Sequence, residues 1–173
     1  MLGHSVPPRR KRREADLWIQ LGAVRGSIFG RGSEQYIAPF LRAWELAQET
    51  DDIPRMFLAR MAQFGHFGLT EQLGHAEEVC RDLIALAARA PMPDLVAVSH
   101  AAMGSVLCGM GQLEKARDHL ERALATLNPH DPSTQLFRRL EDPEILCLTG
   151  LVWVLAQLGF PDQARQRCAE AIV

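Results

Sequence analysis

A short pattern of side-chain sizes recurs four times along the chain. Each copy has a small residue, a bulky residue four positions later and usually a small residue three positions beyond, although Tyr36 and Leu83 depart from the rule. Successive copies begin 40, 40 and 48 residues apart. A period in this range predicts a solenoid, in which one supersecondary unit stacks on the next. The copies are Tyr36-Phe40-Ala43, Ala76-Cys80-Leu83, Ala116-Leu120-Ala123 and Ala164-Cys168-Ala171.

Apolar spacing and helix-end signals predict helices throughout and no strand. Leu17, Leu21, Val24 and Ile28 are spaced by four, three and four residues, which is typical of one face of a helix. Glycines and prolines occur between the apolar segments, at positions typical of helix ends and first helical turns. We therefore predict an all-α fold, an α-α superhelix of about four helix pairs. The predicted pairs span 14–52, 53–90, 91–129 and 142–173, and a connecting segment at 130–141 contains a short helix near 133–140.

The basic residues are concentrated at the start of the chain. Five of the 19 occupy positions 9–13, and from Glu14 onward 14 basic residues face 21 acidic ones, a net of −7. We expect residues 1–13 to be a disordered lead-in or the fraying start of a helix. The basic run is read as a solvated arm, with a nuclear-localisation or nucleic-acid-binding arm as the alternative. The acidic remainder argues against direct nucleic-acid binding. The uncharged run 145–160 has 16 residues. This is shorter than the roughly 20 residues of a membrane span, so we expect no membrane contact.

The cysteines and histidines do not form a recognisable reactive site. Cys80, Cys108, Cys147 and Cys168 lack CxxC spacing and fall among apolar helical positions, so we predict buried thiols in a reducing, cytoplasmic compartment. No histidine pair has metal-ligand spacing on one helical turn, and His119 is expected to be exposed. The glycine-rich stretch 26–33 lacks the lysine of a phosphate loop. We therefore predict no catalytic residue, no metal and no cofactor.

Two of the units resemble tetratricopeptide (TPR) repeats. The third reads His100-x₂-Met103-Gly104-x₂-Leu107, then Ala116-x₃-Leu120, Ala123 and Asn128-Pro129. The fourth reads Leu148-x₂-Leu151-Val152-x₂-Leu155, Gly159, then Ala164-x₃-Cys168 and Ala171. In such a unit a small residue lets the paired helices approach, and the bulky residue fills the gap between neighbouring pairs. A 40-residue period also suits HEAT or armadillo repeats, but these residues favour a degenerate TPR-like array.

The stretch 13–173 also resembles a more particular family, the TPR-like regions of large bacterial signalling proteins. The segments that carry this resemblance are Glu14–Gly22, Arg42–Ala47, His75–Ala87, Gly111–Ala123 and Gly159–Ala164. In that family an ATPase domain precedes the repeats, and an adenylate/guanylate cyclase or a LuxR/MalT-type DNA-binding domain completes the chain. The resemblance implies a regulatory role beside such domains, neither of which this chain contains. Because the last helix stops without a polar cap, we expect either a fragment of a longer protein or an open end that self-associates.

A partner-binding groove is the remaining functional prediction. TPR-like geometry places the first helix of each pair along a concave surface, where we expect Met61, Ser105, Thr149 and Trp153 to line a groove. Leu58, Val98, Ala101 and Leu146 are expected beside them. The alternative is that all of these residues pack against the next helix pair. Few of these residues are charged, so the groove should bind an apolar or helical protein segment. The chain is thus predicted to be a non-enzymatic protein-interaction scaffold; the alternative is the effector-sensing domain of a MalT-type regulator that binds a small ligand.

Overall fold

A computed structural model describes residues 7–90, 92–127 and 143–171, and every regular element in these ranges is an α-helix. The prediction of an all-α fold is confirmed for this part of the chain. The chain divides into two compact units, Met1–Arg89 and Ala90–Val173. The first unit contains α1 (Pro8–Phe29), α2 (Glu34–Gln48), α3 (Ile53–Leu69) and α4 (Leu73–Ala88), and the second contains α5 (Pro93–Gly109), α6 (Leu113–Thr126), α7 (Pro143–Gln157) and α8 (Pro161–Glu170).

The first unit is built on a close approach between α1 and α2. Glycines at two successive turns of α1, Gly22 and Gly26, lie against the rings of Phe40 and Tyr36, and a Cβ at either glycine would overlap the ring. Ser33 caps the start of α2 by accepting a hydrogen bond from the backbone N–H of Tyr36 at 3.2 Å. The recurring bulky position at Phe40 therefore packs on a small residue of the preceding helix, as the repeat pattern predicts.

The second unit repeats this arrangement between α5 and α6. Leu120 is fully buried, and a Cβ at Gly104 would lie only 2.6 Å from its Cγ. Leu120 also lies against Gly150 of α7, where an added Cβ would be 3.0 Å from a Leu120 methyl. One bulky side chain thus fits between small residues of two helices, within its own pair and in the next. The tight turns after α5 and α7 use Gly111 and Gly159, with φ of 74° and 84°.

The start of α1 decides between the two expectations for residues 1–13. The helix begins at Pro8, so positions 8–13 are helical rather than disordered, while positions 1–6 lie outside the described residues. Proline is favoured in a first turn because its φ is already helical. Lys11 pairs with Glu49 at 2.7 Å and Arg12 with Asp52 at 3.3 Å. Part of the basic run therefore attaches α1 to the segment between α2 and α3, instead of forming a solvated arm.

Two further predictions concern the connecting segment and the last repeat copy. The connecting segment 130–141, with its short helix near 133–140, lies outside them. All three residues of the last repeat copy are described: Ala164 is buried, but Cys168 is exposed and Ala171 is half-buried. Cys80 and Cys147 are buried and Cys108 is half-buried, so the prediction of buried thiols is wrong for Cys168.

Candidate partner-binding surface

The four residues predicted to line the groove differ in their accessibility. Met61 on α3 lies in the first unit and is half-buried. In the second unit Ser105 on α5 is half-buried, whereas Thr149 and Trp153 on α7 are exposed. The flanking positions are less available than predicted. Val98 and Ala101 are buried, and Leu146 packs in a core cluster with Ala101, Ala123 and Cys147. For these three flanking residues the packing alternative holds, because their side chains lie in or against the core.

Trp153 is the most exposed large side chain on α7, with 68% of its surface accessible. Its indole N–H has no hydrogen-bond partner among the described residues. The other two tryptophans are engaged: Trp18 donates to Glu14 at 3.5 Å, and the Arg60 guanidinium lies 4.0 Å from the centre of the Trp44 ring. Trp153 therefore differs from its counterparts in having both its ring and its donor available.

The neighbours of Trp153 form one continuous strip, which we name the α7 face. Successive helical turns place Ile145, Thr149 and Trp153 in a row, with Ile145 itself 52% exposed. Val152, Ala156 and Gln157 line a shallow depression beside the Trp153 ring. The opposite side of α7 carries the buried residues Cys147, Leu148, Leu151, Val154 and Leu155. The α7 face consists of Ile145, Thr149, Val152, Trp153 and Ala156.

The hydroxyl groups of the two predicted contact residues, Thr149 and Ser105, donate hydrogen bonds within their own helices. Thr149 Oγ1 donates to the carbonyl oxygen of Ile145 at 2.7 Å, and Ser105 Oγ donates to that of Ala101 at 3.1 Å. A hydroxyl bonded back to the preceding turn presents little donor capacity outward. Contact with Thr149 would therefore be made largely through its methyl group, and the α7 face behaves as an apolar surface.

The second unit also brings together two histidines whose spacing along the sequence predicted no contact. His100 on α5 and His119 on α6 lie with their Nδ1 atoms 2.8 Å apart. Both are half-buried, so the expectation that His119 is exposed is wrong. Burial lowers the pKa of His100, with smaller contributions from His119 and Arg122. Burial likewise lowers the pKa of His119, followed by Arg122, while Asp118 opposes the shift.

This histidine pair was detectable in principle. The register that sets Gly104 against Ala116 and Leu120 also places His100, one turn earlier on α5, near the adjoining turn of α6. The two imidazoles lack the additional donors of a metal centre, because no group of three or more metal-ligating side chains is found among the described residues. Their Nδ1 contact requires at least one neutral ring, since two protonated rings would both be donors.

Cys80 and Cys108 lack the environment of reactive thiols. Burial, followed by the negative charge of Glu77, raises the pKa of Cys80 to about 12. Burial also raises the pKa of Cys108. Because the thiolate is the nucleophile, a raised pKa suppresses reactivity at neutral pH.

Within the described ranges, no helix is both long and apolar enough to span a bilayer.

Comparison with known proteins supports the fold. No protein-family model and no curated protein matches the sequence. Among solved structures, the chain is similar to the crystal structure of the apo form of RapI, with a TM-score of 0.77 and 15% sequence identity. The similarity covers 92% of this chain and 55% of RapI, so this chain spans little more than half of that protein's length. At this identity the likeness shows the fold alone, a TPR-like helical repeat solenoid.

Proposed function

We propose that this chain is a non-enzymatic helical-repeat module that binds a protein or peptide segment through the α7 face. The observation that carries the proposal is the 68% exposure of Trp153 on an apolar strip whose opposite side is buried in the core. Exposed aromatic residues with apolar neighbours are characteristic anchors of protein interfaces. Ser105, in the same unit, remains a predicted contact for this partner, and Met61 remains a predicted contact residue within the first unit.

The energetic contribution of Trp153 would be large for a single side chain. Covering its exposed part would remove on the order of 100–150 Å² of largely apolar surface from water. That corresponds to about 2–4 kcal/mol before the costs of association are subtracted. Trp153 alone could therefore account for a tenfold or larger change in affinity.

The chemistry of the α7 face indicates an apolar partner. Its side chains carry no charge, and the Thr149 hydroxyl is engaged within the helix. An amphipathic helix from a partner would bury its apolar stripe here and keep its polar side in water. The alternative function, an effector-sensing domain, would favour an enclosed polar pocket. The depression beside Trp153 is instead open and lined mainly by apolar atoms, which favours a protein partner.

We further propose that the module works in the cytoplasm beside ATPase, cyclase or LuxR/MalT-type domains of one signalling system. This part of the proposal rests on the sequence resemblance of residues 13–173 to the repeat regions of such proteins. An ATPase or cyclase reading frame directly adjoining this one in the genome would support it. A well-behaved monomer encoded away from any such frame would count against it.

The binding proposal can be tested with peptides selected from a displayed random library on the full chain. Affinities of the selected peptides are then measured by fluorescence anisotropy for the wild type, Trp153→Ala and a control variant, Leu69→Ala. Leu69 is 62% exposed on α3, so it is a comparable apolar truncation outside the α7 face. We expect Trp153→Ala to weaken binding about tenfold or more and Leu69→Ala to leave it unchanged.

Urea unfolding of the same variants separates binding from folding. Trp153→Ala should leave the free energy of unfolding within about 0.5 kcal/mol of the wild type, because the ring is exposed. If peptide binding is retained while stability falls, Trp153 is a packing residue and the assignment of the α7 face is wrong.

A further inference from the structure

The first unit carries a second apolar strip, on the outer side of α1. Leu17, Val24 and Ile28 are 60%, 56% and 66% exposed, and Leu21 between them is half-buried. The inner side of α1 carries buried Ala15, the two glycines that lie against the rings of α2, Gly22 and Gly26, and Ile19, which packs against the core cluster of Tyr36, Ile37, Phe40 and Ala62. Leu17, Val24 and Ile28 thus lie on the outer side of the helix, away from these internal contacts. We name Leu17, Leu21, Val24 and Ile28 the α1 strip.

The spacing of the α1 strip suits a single helical partner. Gaps of four, three and four residues reproduce the alternating positions of a heptad repeat. Such a seam accepts one helix packed lengthwise, with side chains of each helix fitting between those of the other. Including the preceding basic turns, positions 10–28 extend about 27 Å at 1.5 Å per residue.

The basic end of the strip indicates the charge of the partner. Lys11 and Arg12 form ion pairs within the first unit, whereas Arg9, Arg10 and Arg13 form none among the described residues. Arg10 and Arg13 continue the α1 strip by seven and four residues before Leu17. Positive charge at a helix N-terminus also opposes the helix dipole, and α1 has no acidic residue in its first turn. A carboxylate-rich partner would pair with these arginines and reduce their unfavourable interaction with the helix dipole.

A second copy of the chain cannot provide those carboxylates from its own α1. The acidic residues of α1 are Glu14 and Asp16. Asp16 pairs with Arg55 at 2.8 Å, and Glu14 lies 3.8 Å from Arg42 and accepts from Trp18. Two α1 helices packed in parallel would also bring their arginine clusters together. The occupant is therefore expected to be a different helix.

We propose that the α1 strip binds an amphipathic helix with apolar residues at heptad spacing and acidic residues at the end that meets Arg10 and Arg13. This surface is separate in residues from the α7 face, so it would be a second docking site. An anionic membrane is less suited to it. Interfacial helices carry basic residues along their whole polar side, whereas these arginines are confined to one end of α1.

The probe is a synthetic, fluorescein-labelled peptide of roughly three heptads, with leucine at the core positions and glutamate throughout one terminal heptad. A matched peptide replaces those glutamates by lysine. Binding of both to the full chain is measured by anisotropy at low salt. We expect the acidic peptide to bind at least about tenfold more tightly than the lysine peptide.

Three variants assign the binding to the α1 strip. Val24→Gln removes an exposed apolar contact and should weaken both peptides, and the double variant Arg10→Glu with Arg13→Glu should reverse the preference between them. Trp153→Ala should change neither affinity, which separates this site from the proposed function. All positions are exposed, and unaltered circular dichroism of each variant verifies that its fold is intact.

Four outcomes would overturn the proposal. One is equal binding of the two peptides by the wild type, and another is binding that survives both α1 variants. The third is that the wild type binds vesicles containing phosphatidylserine more strongly than it binds the acidic peptide, and that Val24→Gln loses this vesicle binding. Concentration-dependent dimerisation abolished by Val24→Gln would likewise show that a second copy, not an acidic helix, covers the strip.

Discussion

Substituting Gly104 by alanine tests the packing between α5 and α6. The new Cβ would lie 2.6 Å from Leu120 Cγ, 2.8 Å from its Cδ2 and 3.2 Å from the backbone oxygen of Ala116. Real Cβ contacts are longer, so some atoms must move. Leu120 is fully buried and also touches Gly150, which leaves its side chain little room to change rotamer.

The expected magnitude follows from two opposing effects. Overpacking of a well-packed core costs about 1–3 kcal/mol, and the tight contact at Gly104 places this variant toward the upper end. Replacing a helical glycine by alanine returns about 0.5–1 kcal/mol, because glycine loses more backbone entropy on folding. We therefore expect Gly104→Ala to lower the free energy of unfolding by about 1–2 kcal/mol.

Urea unfolding followed by circular dichroism provides the measurement, with the midpoint shifting and the slope unchanged. Gly74→Ala is the matched control, since Gly74 is an exposed helical residue on α4 and an added Cβ would meet nothing within 4 Å. That variant should be as stable as the wild type or slightly more stable. Combining Gly104→Ala with Leu120→Ala should cost less than the sum of the two single changes. If Gly104→Ala is as stable as Gly74→Ala, the close approach of α5 and α6 is not as described.

Two further predictions concern titratable groups. The free energy of unfolding should fall between pH 7 and pH 5, because the unfolded state gains protons at His100 and His119 below about pH 6.5 while the lowered pKa values keep the folded pair neutral. In His119→Asn the urea midpoint should fall less over this range. An unchanged fall in that variant would exclude the histidine pair as its source. Native labelling with iodoacetamide, read by mass spectrometry, should modify exposed Cys168 rapidly and Cys80 only after unfolding, and equally rapid labelling of Cys80 would contradict its burial.

The helices were predictable because their signals are local. Ser33 as a cap, prolines in first turns and glycines after helices identify ends within a few residues, whatever the rest of the chain does. The recurring bulky column was also informative, since Phe40 and Leu120 both pack on a glycine of the preceding helix. These features depend on neighbours along the sequence or on a repeated register.

The surfaces were less predictable because they depend on which side of a helix is covered. Periodicity identified the α1 strip as one face of a helix, but Gly22, Gly26 and Ile19, which lie on another face, make the contacts with the core residues of α2. The same limit applies to Val98 and Ala101, predicted beside the groove and found in the core. The contact between His100 and His119 arises from the register of two helices, which residue spacing along one helix does not contain.

The central claim, that this module binds a partner through the α7 face, is tested most directly by mapping where a selected peptide sits. Backbone amide and tryptophan indole signals of the full chain can be followed by heteronuclear NMR during titration with that peptide. If the peptide binds the α7 face, the largest changes in these signals are expected at the indole N–H of Trp153 and at the exposed turns of α7 around Ile145 and Thr149. Unperturbed Trp153, with the changes concentrated on other helices, would contradict it.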